Sequence, residues 1–266
     1  MRILYIGDIM GEVGIEVVET ILPKLQVQER IDVVIAQAEN VSEGKGMSVA
    51  DYRRLQKAGV DGFTGGNHTI ARDEIFSLLN DPNVPVTGPA NMHDCPGPGY
   101  KYVESAKGKV LIVSLLGKIV GRDADKQIDN PLKAIDAVLA SQKDVARVAT
   151  VVNFHGDFSS EKVVIGHYLD GKVSLVIGDH WHVPTADAQV LPGGSAHQTD
   201  VGMCGSLDSS LGVTFASVIP RWHNDTQTRN ILETTGRRQF NAVLVSVDTK
   251  TGLATDIKAI RQIYEP

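Results

Sequence analysis

The chain of 266 residues carries 26 Lys and Arg against 32 Asp and Glu, a formal charge of −6 at pH 7. That balance excludes a general nucleic-acid or anionic-membrane binder, whose affinity rests on massed Lys and Arg. The 42% hydrophobic and 22% charged content excludes extensive disorder, and two cysteines, Cys95 and Cys204, exclude a disulfide framework.

The opening Met1-Arg2-Ile3-Leu4-Tyr5-Ile6-Gly7-Asp8 reads as a buried strand ending in an acid, with too short an apolar stretch for a secretory signal. Further strands are predicted at Val33–Ala38 and Val60–Thr64. Helix-like spacing falls between them at Ile15–Leu25, where Pro23 is expected to kink or end the helix, and at Val49–Ala58. This alternation predicts parallel pairing with helices outside, and ligands at the C-terminal strand ends. From residue 84 the rhythm changes. Val84–Thr87, Tyr100–Val103 and Val110–Leu116 read as strands separated by turns such as Pro96-Gly97-Pro98-Gly99, which predicts a second, partly antiparallel sheet. A helix at Pro131–Ser141, a strand at Val148–Phe154, a helix at Ser160–Leu169 and a strand at Val173–Ile177 follow. Strands at Ala242–Val247 and Ala254–Ile263 close the chain, and 206–238 reads as a loop or cap. The longest nearly apolar run, Val110–Leu116, falls far short of the roughly 18 residues of a membrane span. One domain over 1–266, soluble and cytoplasmic, is the expectation.

The ends of the predicted strands carry the chemistry. The first delivers Asp8, the second Glu39-Asn40, the third Gly66-Asn67-His68, the strand from Val148 delivers His155, and the strand from Val173 delivers His180-Trp181-His182. In an extended segment His180 and His182 share a face, so both can serve one centre. Each piece has a bland reading: caps or solvated acids for Asp8 and Glu39, a turn at Asn67-His68, a satisfied ring at His155. What favours a metal site is that five successive strand ends would have to be bland together. Oxygen and imidazole donors in this mixture suit Zn, Mn or Fe, and not Ca or Mg alone.

In this order the motifs resemble the calcineurin-like metallophosphoesterases, and more narrowly the bacterial YmdB-like branch of cyclic-nucleotide phosphodiesterases. Ile6-Gly7-Asp8-Ile9-Met10-Gly11, Ala38-Glu39-Asn40, Asp129-Asn130-Pro131, Phe154-His155, His182-Val183-Pro184-Thr185-Ala186-Asp187 and Thr199-Asp200-Val201-Gly202-Met203 carry the likeness. The resemblance implies a layered α/β/β/α sandwich with two central mixed sheets. It also implies two transition-metal ions, Fe or Mn first and Zn as well. Glu39 would bridge them, Asp8, Asn40 and His182 would complete one, and Asn67, His155 and His180 the other, with His68 beside the metals. The chain departs from the branch at Asn153, where Asp is common, at Gly156-Asp157, and at Asp179 and Trp181, where Thr is usual. It also lacks the aromatic that often follows the Asn-His motif, having Thr69-Ile70-Ala71. None of these removes an implied ligand. They bear on what surrounds the ligating imidazoles, and at Asp179 and Trp181 on rate or substrate fit before activity itself.

The expected activity is hydrolysis of a cyclic phosphodiester, 2′,3′-cyclic nucleotides and also 3′,5′-cyclic ones. A metal-bridging hydroxide would attack phosphorus, and His68 would give the leaving oxygen its proton. Two alternatives stay open: a metal-dependent phosphatase acting on phosphomonoesters or phosphoproteins, and a metal-stabilised regulator that binds a protein or RNA. Arg221, Arg229, Arg237 and Arg238 read as solvated surface residues against a local basic patch, and a homo-oligomer is compatible with the sequence. Glu43-Gly44-Lys45-Gly46 lacks Walker spacing and reads as an ordinary loop, with Lys45 placed to help hold substrate. Cys204 reads as a quiet packed thiol.

Overall fold

The computed structural model describes residues 1–266 apart from the side chain of Arg122. The elements run β1 (Arg2–Ile6), β2 (Asp8–Ile9), α1 (Gly11–Glu29), β3 (Val33–Gln37), α2 (Val49–Ala58), β4 (Gly62–Thr64) and α3 (Ile75–Asn80) in the first part of the chain. Then follow β5 (Tyr100–Val103), β6 (Val110–Leu116), α4 (Pro131–Ser141), β7 (Ala149–His155), α5 (Ser159–Tyr168) and β8 (Leu175–Asp179). The chain closes with β9 (Gln189–Val190), β10 (Ala196–Gln198), β11 (Met203–Ser206), α6 (Phe215–Asn224), β12 (Arg238–Asp248) and β13 (Leu253–Tyr264).

Among the described residues the strands form two mixed sheets. One has the order β2-β11-β12-β1-β3-β4 with β13 paired to β12, the other β5-β6-β7-β8-β10-β9. Strands β1, β3 and β4 are parallel, as are β6, β7, β8 and β10. Alternation along each strand builds the layers. On β1, Ile3 and Tyr5 enter the core between the sheets with Ile35, Ile112, Val151 and Ile177. Leu4 and Ile6 face α1 and α2 together with Val17, Leu22 and Leu55. On β6, Leu111 and Val113 pack under α4 and α5 with Ile135 and Ile165. Strands buried on both faces read as continuous apolar runs, which is why these are visible in the sequence. The expected α/β/β/α sandwich is the observed fold, and no helix among the described residues is long and apolar enough to cross a membrane.

Three expectations need correction. Pro23 does not end α1, which runs from Gly11 to Glu29. Pro23 lies on the exposed face, while Val13, Val17, Val18, Leu22 and Leu25 bury the other stripe. Val84–Thr87 forms only a bridge between Val86 and Phe63 and no strand of its own. The strand expected at Val173–Ile177 lies two residues later, so that Asp179 is its last residue.

Candidate metal centre

The C-terminal ends of β3, β4, β7 and β8 meet where the two sheets face each other. Backbone register sets this, because His155 on β7 pairs with Leu116 on one side and Asp179 on the other. Glu39 is buried, with Oε1 3.1 Å from His155 Nε2 and 3.5 Å from His68 Nδ1. Its Oε2 accepts from the His68 backbone N–H at 2.8 Å. Burial alone would raise this carboxyl, but the imidazoles of His155, His68 and His180 outweigh it and hold it well below the usual range. Burial likewise opposes charge on His155, and Glu39 with Asp179 overrides it, raising that imidazole.

Asn67 Oδ1 lies 2.9 Å from His155 Nε2, and its amide nitrogen donates to Asp123 at 2.7 Å. Asp8 is fully buried; its Oδ2 accepts from the His180 backbone N–H at 3.1 Å, and its Oδ1 has no hydrogen-bond partner. Burial and then the charge of Asp179 push the Asp8 carboxyl up to about 6. His182 donates from Nδ1 to the carbonyl of Leu211 at 3.0 Å, which leaves Nε2 facing Asp8 Oδ1 at 3.8 Å and the Asn40 amide at 3.3 Å. Burial and the neighbouring His155 lower His180 to about 2. Donor atoms of Glu39, His155 and His180, and those of Asp8, His155 and Asp179, lie within 4.8 Å of one another in each trio.

The sharp turn after β8 needs support, since His180 and His182 sit at φ of 104° and 62°, a region side chains other than glycine seldom enter. Lys162, fully buried on α5, provides it. Its ammonium donates to the Asp179 carbonyl at 2.7 Å and to Asp200 Oδ2 at 2.8 Å, and Asp200 Oδ2 also accepts from the Trp181 backbone N–H at 2.9 Å. At the opposite wall a Cβ on Gly66 would fall 2.4 Å from both Glu39 Oε2 and the His155 ring. Only glycine fits there.

A family model described as YmdB-like protein matches residues 4–260. The chain belongs to the YmdB-like family. A Bacillus subtilis (strain 168) member named 2′,3′-cyclic-nucleotide 2′-phosphodiesterase is 36% identical, covering 98% of this chain and 96% of that protein. Among solved structures, a novel phosphatase from Mycoplasma pneumoniae superposes with TM-score 0.90 at 30% identity, covering 99% of this chain and 93% of that one. A hypothetical protein from Thermus thermophilus superposes with TM-score 0.88 at 34% identity, covering 100% of both chains.

Family membership agrees with the resemblance read from the motifs. All eight residues singled out in the sequence, Asp8, Glu39, Asn40, Asn67, His68, His155, His180 and His182, come together, and among them Asp8, Glu39, His155 and His180 fall in trios whose donor atoms are close enough to hold a metal ion. Asn40 turns its Oδ1 to His68 Nδ1 at 2.8 Å and its amide nitrogen to the other donors. Sequence reasoning missed Asp123, whose Oδ2 stands 3.1 Å from His68 Nε2, and the part played by Asp157, 3.3 Å from His180 Nε2. Asp123 ends a single 3-10 turn and Asp157 lies in a loop, and neither segment carries a periodic signal. Three of the four arginines singled out in 206–238 are engaged locally, Arg237 with Asp208, Arg238 with three carbonyls and Arg221 with Thr228 and Asn230, while Arg229 is exposed. Burial pushes both thiols up to about 12, as befits quiet cysteines.

Proposed function

We propose that this cluster holds two transition-metal ions and that the chain is a metal-dependent phosphodiesterase acting on cyclic nucleotides, 2′,3′-cyclic ones first. The observation that carries the reading is convergence: carboxylates, amides and imidazoles from both sheets aim at one buried point, with Asp8 Oδ1 unpartnered. Glu39 would bridge the ions, Asp8, Asn40 and His182 would serve one, and Asn67, His155 and His180 the other. The Asn40 Oδ1 carries two lone pairs, so it could accept from His68 Nδ1 and serve an ion as well. Iron, manganese and zinc all accept these donors. Bound there, such ions activate water and neutralise phosphate oxygens.

His68 supplies the proton for the leaving ribose oxygen. Its Nδ1 donates to Asn40 Oδ1 and its Nε2 faces Asp123, so the geometry suits the doubly protonated ring. Burial, against the opposing charge of Glu39, lowers its proton affinity, which makes the ring a readier acid. Beside the centre, a cavity of about 420 Å³ bounded by Ile119, Val120, Asp123, Gln127, Ile128 and Phe158 offers apolar walls and polar edges that suit a nucleoside. The Bacillus subtilis relative's name supports a cyclic-nucleotide substrate. The test is turnover of 2′,3′-cyclic AMP, 3′,5′-cyclic AMP, p-nitrophenyl phosphate and bis(p-nitrophenyl) phosphate by the metal-loaded chain. Diester hydrolysis with 2′,3′-cyclic AMP foremost is expected; turnover of the monoester with no diester cleaved would overturn the reading in favour of a phosphatase.

A further inference from the structure

Asp179 is the last residue of β8, lies directly across from His155 in the parallel β7–β8 pair, and is fully buried. Its Oδ1 is 2.6 Å from His155 Nδ1. Its Oδ2 accepts from the Tyr5 hydroxyl at 2.8 Å, from Asn153 Nδ2 at 2.5 Å and from Gln37 Nε2 at 3.2 Å. Among the described residues no Lys or Arg side chain pairs with this carboxylate; His155 is its basic partner. Three neutral donors from β1, β3 and β7 therefore hold a buried acid in place so that it faces one imidazole. A carboxylate only accepts, so the proton between them belongs to Nδ1, and Nε2 is left pointing at Glu39 and Asn67.

We infer that Asp179 is a positioning residue, fixing the ring and tautomer of His155 so that Nε2 is free to ligate a metal ion, and that the charge can be moved to position 153 without losing this role. The second half follows from Asn153 Nδ2 touching the same carboxylate. When Asn153→Asp is combined with Asp179→Asn, the amide oxygen introduced at position 179 would accept from His155, and the amide nitrogen beside it would donate to the relocated carboxylate. The inference rests on the metal-centre reading above.

The test strips the purified chain of metal and titrates it with Mn²⁺ alone, in the native chain, Asp179→Asn, the double variant Asn153→Asp with Asp179→Asn, and His155→Ala. Carboxylates behind metal-bound histidines tune affinity by roughly 10–100-fold, and a loss of that order is expected for Asp179→Asn, with most of it recovered in the double variant. A merely structural role would give no such recovery. Native affinity in Asp179→Asn, or a double variant no better than the single one, would overturn the inference while leaving the metal centre intact. Native affinity in His155→Ala would instead overturn the metal-centre reading, and this inference with it. A second measurement needs no variant: in the ¹⁵N-histidine-labelled, Zn²⁺-loaded native chain, His155 is expected to be protonated at Nδ1 and not at Nε2. The reverse tautomer would contradict the role.

Discussion

Gly66 leaves the centre no slack. With Glu39 and His155 each 2.4 Å from where its Cβ would stand, Gly66→Ala must push a carboxylate or an imidazole aside. Displacements near 1 Å in a preorganised site cost on the order of 10²-fold, so we expect Gly66→Ala to fold and lose about that much kcat/KM. Activity within about twofold of native would show that the two side chains need not be held so closely. The leaving group tests His68. On a cyclic nucleotide, His68→Ala should lower kcat by about 10²–10⁴-fold, whereas bis(p-nitrophenyl) phosphate, whose nitrophenolate leaves without a proton, should be nearly unaffected. Equal losses on both would contradict the acid role. The donors themselves are legible in the sequence because strand ends are read from apolar runs and each run ends in a ligating residue type. The contacts of Asp123, Asp157 and Asp179 are not, because a carboxylate's partner across a fold leaves no local mark.

At the scale of elements, the turn that carries His180 and His182 depends on a helix far from it in sequence. Lys162 on α5 is fully buried against Asp200, with the Trp181 ring centroid 4.0 Å from its ammonium. Burial also raises the Asp200 carboxyl, with Lys162 opposing. Removing one partner strands a buried charge, so Lys162→Met should destabilise the chain by about 3–5 kcal/mol in urea unfolding. A change below about 1 kcal/mol, the range of an exposed pair, would contradict the account. Other elements show where local signals fail. Local propensity disfavours Pro23 inside the first helix, and the packed stripe of α1 overrides it. The region 206–238 is opaque in sequence because α6 has exposed Phe215, Ile219 and Trp222 on a short helix, and most of the remainder is loop. Even so, this segment lends the Leu211 carbonyl to His182.

For the whole molecule, the centre joins two sheets that otherwise meet through an apolar core. Asp8, Glu39 and Asn67 come from the first sheet, His155 and His180 from the second. The layered fold follows from alternating apolar runs, and ligand placement follows from the rule that parallel sheets bind at their C-terminal ends. An ion bound to the folded state alone stabilises it by about 2.7 kcal/mol at a hundredfold excess over Kd, which for a chain of this size is roughly 5–10 °C in Tm. Chelation followed by thermal unfolding should show a fall of that order, and an unchanged Tm would mean that no ion ties the sheets. The formal charge of −6 takes on a different meaning here, since acids such as Asp8 and Glu39 turn inward. On the proposed reading, phosphate recognition would rest on the ions and need no basic surface. The most direct test of the centre is metal content per chain in the native protein and in the Asp8→Ala, His180→Ala double variant, which removes a donor from each sheet. We expect two transition-metal ions per native chain and loss of both from the variant; equal, tight retention in the two proteins would contradict the assignment.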